Sequence, residues 1–241
     1  MGRGRRNGKI SQTDIAFVWS ECMKIAMLTF ECDPANFREI GNPNKQKYCD
    51  KHGYDFISYD QKLDHPRHPS WHKIPYMQQT LPNYDWVFWA DADSFVINSD
   101  VKIEDFIDND KDAVFCKDDM GINAGMFMFK NSDWSFWLLE EVWNFKKYGN
   151  NKHGRVEMIL GDHFGKLAGQ KSVFDAWEQT NLRSIVGLNG EKFPDNIKTY
   201  EEEEAHFNVR PDRVTKETYM VHYRRGWREE EGYGHVLNMI Y

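Results

Sequence analysis

The sequence predicts an α/β fold, a single domain built on a mixed, mostly parallel central sheet flanked by helices. Three observations predict it. Trp86-Val87-Phe88-Trp89-Ala90 is an apolar run without polar alternation, the pattern of a strand covered on both faces. Lys24 to Phe30 repeats the pattern early in the chain. Segments at helical spacing alternate with these and other short strands, an order that lays helices over a parallel sheet. With 241 residues the chain has the length of one sizeable domain.

Composition narrows the function. A net charge of -7 excludes a general nucleic-acid binder despite Arg3, Arg5, Arg6 and Lys9. Residues 1–14 read as a disordered basic tail, and 15–241 as the domain. The four cysteines, Cys22, Cys32, Cys49 and Cys116, have no metal-ligand spacing; a reduced cytosolic setting is the simplest reading, two disulfides the alternative. Ile15 to Phe30 is interrupted by Glu21 and Lys24 and is shorter than the roughly 20 residues that span a bilayer. We therefore expect no transmembrane segment, and a soluble cytoplasmic protein or a soluble piece of a larger one.

The first strand, Lys24 to Phe30, stops before Pro34. In such sheets the end of the first strand commonly holds a nucleotide, so Thr29, Phe30, Glu31 and Cys32 read either as nucleoside contacts or as plain loop. Asn42-Pro43-Asn44 reads as a turn, Asn44 to His52 as a helix ended by Gly53, and Tyr54 to Tyr59 as the second strand. After a His- and Pro-rich loop, Ser70 is placed to cap a helix over Trp71 to Leu81 that carries Lys73.

The Trp86 strand runs straight into Asp91-Ala92-Asp93. In an extended chain residues two apart point the same way, so the two carboxylates would stand together where the strand leaves the sheet. Such a pair reads as a Mg²⁺ or Mn²⁺ site for a diphosphate, or else as a turn or helix cap. An apolar strand ending in two acids needs positive charge nearby, which favours the metal.

Asp112 to Cys116 is a further strand, and Gly121 to Lys130 starts as a glycine-bounded turn and continues as another. The glycines beside Asn123 allow a ligand to approach the backbone, or mark a bulge. Ser132 caps a helix from Trp134 to Lys147, whose Trp134, Trp137, Leu138, Val142 and Phe145 form a core-facing stripe. Asp175 is placed to cap a helix through Val186, and Gly187 to Glu204 reads as a solvated polar segment. Thr218 to Tyr223 is a strand that delivers His222, followed by Arg224, Arg225, Gly226, Trp227 and Arg228, with arginines suited to phosphate.

Six segments together resemble the family 34 glycosyltransferases, galactosyl- and xylosyltransferases of the GT-A fold. They are Tyr48 to Asp55, Trp71-His72-Lys73-Ile74-Pro75 with Leu81-Pro82, Trp89 to Asp93, Asn123 to Phe127, Glu178-Gln179, and His222. The resemblance implies a Rossmann-like nucleotide-diphospho-sugar transferase. It implies Mn²⁺ or Mg²⁺ held by Asp91, Asp93 and His222, and a UDP-sugar donor lying against Asn123, Ala124 and Gly125; Lys73, Ala92, Arg225 and Gly226 are further candidates for donor contacts, with the basic residue that meets the phosphates left open. Glu178 and Gln179 would lie near the anomeric carbon, the acceptor would be a glycan or glycoprotein, and transfer would retain configuration. Two departures stand out. His222 is separated from Gly226 by three residues where the family has two, and Glu178 replaces the usual Asp. The layout looks closest to soluble viral or microbial members, which for a virus means the host cytoplasm. The rival readings are an Asp-x-Asp phosphohydrolase and a non-catalytic nucleotide-sugar or glycan-binding domain.

Overall fold

A six-stranded sheet carries the molecule, and its centre is the strand that the apolar run forms. The structure is a computed structural model that describes residues 23–31, 37–64, 67–144, 155–156, 174–175 and 178–223. In chain order its elements are β1 (Ile25–Phe30), α1 (Phe37–His52), β2 (Asp55–Tyr59), α2 (Lys73–Thr80), β3 (Trp86–Ala90), β4 (Ser94–Val96), β5 (Ala113–Asp118) and β6 (Gly121–Lys130). There follow α3 (Asp133–Asn144), β7 (Arg155–Val156), β8 (Phe174–Asp175), α4 (Glu178–Val186), β9 (Ile197–Tyr200), α5 (Glu202–Ala205) and β10 (Met220–His222).

The strand order is β2-β1-β3-β6-β5-β9. β6 pairs antiparallel with both its neighbours, and the other pairings are parallel. Every residue of β1 and β3 is buried. Alternate β3 residues feed two cores: Val87 and Trp89 pack with residues of α2, α3 and α4, and Trp86, Phe88 and Ala90 with Tyr48, Phe207 and Tyr219. Two apolar faces are why the sequence shows no alternation there.

Several expectations need correction. α1 begins at Phe37 and carries Pro43 inside it, where a turn was expected. Proline removes one helical N–H, but its neighbours are tied down from outside the helix. Asn42 Nδ2 donates to Ser58 Oγ at 2.8 Å, and the Asn44 amide exchanges hydrogen bonds with the Val96 backbone at 2.7 and 3.0 Å. The segment after Pro69 is a 3₁₀ turn before α2, and it is the His68 ring that accepts the Ser70 N–H. Asp175 lies in β8, ahead of an α4 that starts at Glu178, so it is not the cap. Gly187 to Glu204 is not simply solvated, because it holds β9, which completes the sheet edge beside β5.

The Ser132 cap forms, with its hydroxyl accepting the Ser135 N–H at 3.3 Å. α3 buries Ser135, Leu138, Leu139 and Val142, whereas Trp137 is 39% exposed and Trp134 is half-buried against Phe193. The tryptophans thus flank the core stripe. Phe145 to Lys147, the tail at 1–14, Cys32, Arg224, Arg225 and Gly226 lie outside the described residues. Among the described residues no helix is long and apolar enough to cross a membrane.

Leu138→Ala should destabilise the fold by about 2–5 kcal/mol as a core truncation. Trp137→Ala should cost much less, and urea unfolding of the two variants compares them.

Candidate active site

β3 ends at Ala90, and the chain turns at once. Ser94 donates to the Asp91 carbonyl through its N–H at 3.1 Å and its hydroxyl at 2.6 Å, and β4 follows. Asp91 and Asp93 therefore sit on a tight turn, not on the extended strand that the sequence suggested. They converge all the same, because the turn is gripped from several sides. Asp91 N–H donates to Gly125 O at 2.8 Å, and Tyr223 N–H donates to Asp93 O at 2.9 Å.

The second of those bonds brings in the chain's late segment. β10 pairs antiparallel with β4, setting His222 opposite Ser94. His222 Nε2 lies 3.4 Å from Asp93 Oδ1 and 3.9 Å from Asp91 Oδ2. Ligand atoms of Asp91, Asp93 and His222 all fall within 4.8 Å of one another. The other ring nitrogen, Nδ1, is 2.8 Å from Asn208 Oδ1. An amide oxygen only accepts, so Nδ1 carries the proton and Nε2 is turned to the carboxylates. The three ligand atoms are close enough together to hold a divalent cation. Two carboxylate oxygens and one imidazole nitrogen are donor types that divalent metals accept.

Gly125 makes room for the ring. A Cβ there would stand 2.2 Å from His222 Cε1. It belongs to an irregular stretch of β6: Phe115 pairs with Phe127 but Cys116 with Asn123, so Ala124 to Met126 bulge away from β5. Both ends of the Asn123 side chain are engaged within the protein, Oδ1 accepting Gly125 N–H and Nδ2 donating to Asp118, each at 2.7 Å. Asn123 therefore shapes the bulge.

Lys73, on the first turn of α2, spans the site from below. Its ammonium reaches Ala124 O at 2.7 Å, Glu178 Oε1 at 2.8 Å and Asp91 Oδ1 at 3.2 Å, and it is 4% exposed. Burial acts to lower its pKa, but the carboxylates of Asp91 and Glu178 outweigh that and hold it above the usual lysine value. Asp91 Oδ1 also accepts the Trp89 indole N–H at 2.7 Å. Gln179 Oε1 accepts Ala124 N–H at 2.7 Å. Glu178 Oε2 is buried with no hydrogen-bond partner among the described residues.

Thr29, Phe30 and Glu31 are buried at the end of β1, with Phe30 stacked on His72 at 4.8 Å. The structure thus brings together Lys73, Asp91, Ala92, Asp93, Asn123, Ala124, Gly125, Glu178, Gln179 and His222, while Arg225 and Gly226 lie outside the described residues. Asn208 and Asp118 were missed, since neither stands in a motif.

Residues 31–112 match the family model described as the galactosyl transferase GMA12/MNN10 family. An alpha-1,2-galactosyltransferase of Schizosaccharomyces pombe is 21% identical, the match covering 82% of this chain and 64% of that protein. Galactomannan galactosyltransferase 1 of Cyamopsis tetragonoloba is 25% identical over 79% of this chain and 48% of its own length. The chain thus spans only part of the curated relatives it matches. A solved glycosyltransferase, described as involved in glycosylation of the major capsid of PBCV-1, superposes with a TM-score of 0.60 at 16% identity. That superposition covers 84% of this chain and 93% of the other. The fold is the GT-A fold expected from the sequence, and the resemblance to the family holds.

Asn208→Ala should weaken Mn²⁺ binding about 10- to 100-fold, the usual effect of losing a group that orients a ligand. Asn208→Asp keeps the acceptor and should retain most of the affinity in calorimetric titration.

Proposed function

We propose that this chain is a metal-dependent glycosyltransferase that moves a hexose or pentose from a UDP-sugar to a glycan or glycoprotein acceptor, with retention of configuration. The observation that carries the reading is the convergence of Asp91, Asp93 and His222 at the end of β3, the edge where open α/β sheets take their ligands. The match of residues 31–112 to the family model supports it. A soluble enzyme of viral or microbial type, acting in the cytoplasm, is the setting proposed with it.

Asp91, Asp93 and His222 would hold Mn²⁺, which supplies Lewis-acid stabilisation to the diphosphate leaving group. Lys73 keeps Asp91 turned toward His222 by occupying Oδ1 together with Trp89, so that Oδ2 is the oxygen on the His222 side. The same ammonium ties down Glu178 Oε1, leaving Oε2 as the atom to stabilise positive charge at the anomeric carbon. Gln179 spends its oxygen on Ala124 N–H, so its amide NH₂ is the group left for the donor sugar. Thr29, Phe30 and Glu31 at the end of β1 would border the nucleoside, and Arg225 and Gly226 would meet the phosphates. Attack from the leaving-group face and double displacement through Glu178 both fit this placement. Neither the phosphohydrolase nor the non-catalytic reading has an observation in its favour.

The test is thermal unfolding with Mn²⁺ and UDP-glucose, UDP-galactose, UDP-xylose or GDP-mannose, followed by assay of release of the corresponding nucleoside diphosphate, UDP or GDP. A ligand at 100 times its Kd should add about 2.7 kcal/mol of apparent stability. Asp93→Ala should remain folded yet lose Mn²⁺-dependent UDP binding in calorimetry. Unchanged UDP affinity in that variant would sink the assignment.

A further inference from the structure

Lys45 is fully buried in the middle of α1, and no sequence motif marked it as functional. Its ammonium reaches the carbonyl of Ala92, the residue between the two aspartates, at 3.3 Å. It also lies 5.6 Å from the centroid of the Phe95 ring. No carboxylate pairs with it within 4.0 Å among the described residues, unlike Lys73. Burying an ammonium on one carbonyl is unfavourable by itself, so something else must make the position worthwhile. Burial pulls its pKa down to about 8, against the opposing influence of Asp93, Glu31, Asp91 and, least, Cys49.

The neighbouring residues of α1 show the same direction of contact. Asn44 holds both the N–H and the carbonyl of Val96, at the far end of β4. Gly41 is packed so close that a Cβ would lie 3.1 Å from Ala92 O and 3.3 Å from Lys45 Nζ. One stretch of helix thus grips the segment from Ala92 to Val96 at its start and its end.

We propose that Lys45 is a positioning residue for the Asp91-Ala92-Asp93 turn, whose ammonium fixes the Ala92 carbonyl from behind and keeps the two carboxylates together before a divalent cation arrives. This rests on reading Asp91, Asp93 and His222 as the cation site. Electrostatics alone gives the opposite expectation, because a positive charge behind the turn repels the metal. The sign of the change therefore separates positioning from bare charge.

The experiment measures free Mn²⁺ by electron paramagnetic resonance in titrations of each folded protein, with no sugar donor present. Lys45→Met should weaken Mn²⁺ binding about 10- to 100-fold, as expected when a group that orients a ligand is lost. Gly41→Ala should also weaken it, at unchanged net charge, by pressing on the same contact; alanine suits a helix better than glycine, so the helix itself is not weakened. Tighter Mn²⁺ binding by Lys45→Met would show a competing charge only and overturn the proposal. Unchanged affinity in Gly41→Ala would overturn it too, and that variant decides the matter if Lys45→Met does not fold. Wild-type protein that binds no Mn²⁺ overturns the cation-site reading and the proposal with it, whereas wild-type binding with both variants unchanged overturns only the role of Lys45.

Discussion

Negative charge buried at one edge of the sheet is the constraint on which the rest of the structure depends. Glu31, Asp93 and Glu178 are buried and Asp91 is partly so, all around the ends of β1 and β3. Carboxylates so placed need compensation. The chain answers with two buried lysines approaching from opposite sides, Lys73 from α2 and Lys45 from α1. Each helix is therefore placed by charge as well as by apolar packing. α2 in particular cannot shift without breaking the contacts of Lys73 with Asp91, Ala124 and Glu178 together.

The central strands were legible in the sequence because β1 and β3 are covered on both faces, and a covered strand writes itself as an uninterrupted apolar run. Asp91, Asp93 and His222 were legible as a motif, but the aspartates do not converge by strand alternation. They meet through a turn closed by Ser94 and held by Gly125 and Tyr223, contacts that no spacing rule contains. β9 was illegible for the opposite reason to β3: only Ile197 of its residues is buried, so it carries no run. Pro43 misled because helix rules are local, while the bonds of Asn42 and Asn44 come from β2 and β4.

Asn208, Asp118 and Lys45 share a further kind of invisibility. Each is an ordinary polar residue whose importance lies in a contact that only the folded chain makes. Asn208 selects the tautomer of His222, Asp118 orients Asn123, and Lys45 touches the turn. The bulge at Ala124 to Met126 is a related case: its glycine is visible, but the need for it appears only when the His222 ring is set against Gly125.

The pairing of β10 with β4 carries a consequence for how the protein comes into being. The two strands are three residues each and are separated by most of the sheet in sequence. Contacts of such long separation form slowly, since the intervening chain must first be ordered. A nascent chain that has emerged only as far as β9 already holds both aspartates but lacks His222 to set beside them. On the cation-site reading proposed above, metal capture is then a late event of maturation, one that reports that β10 has docked.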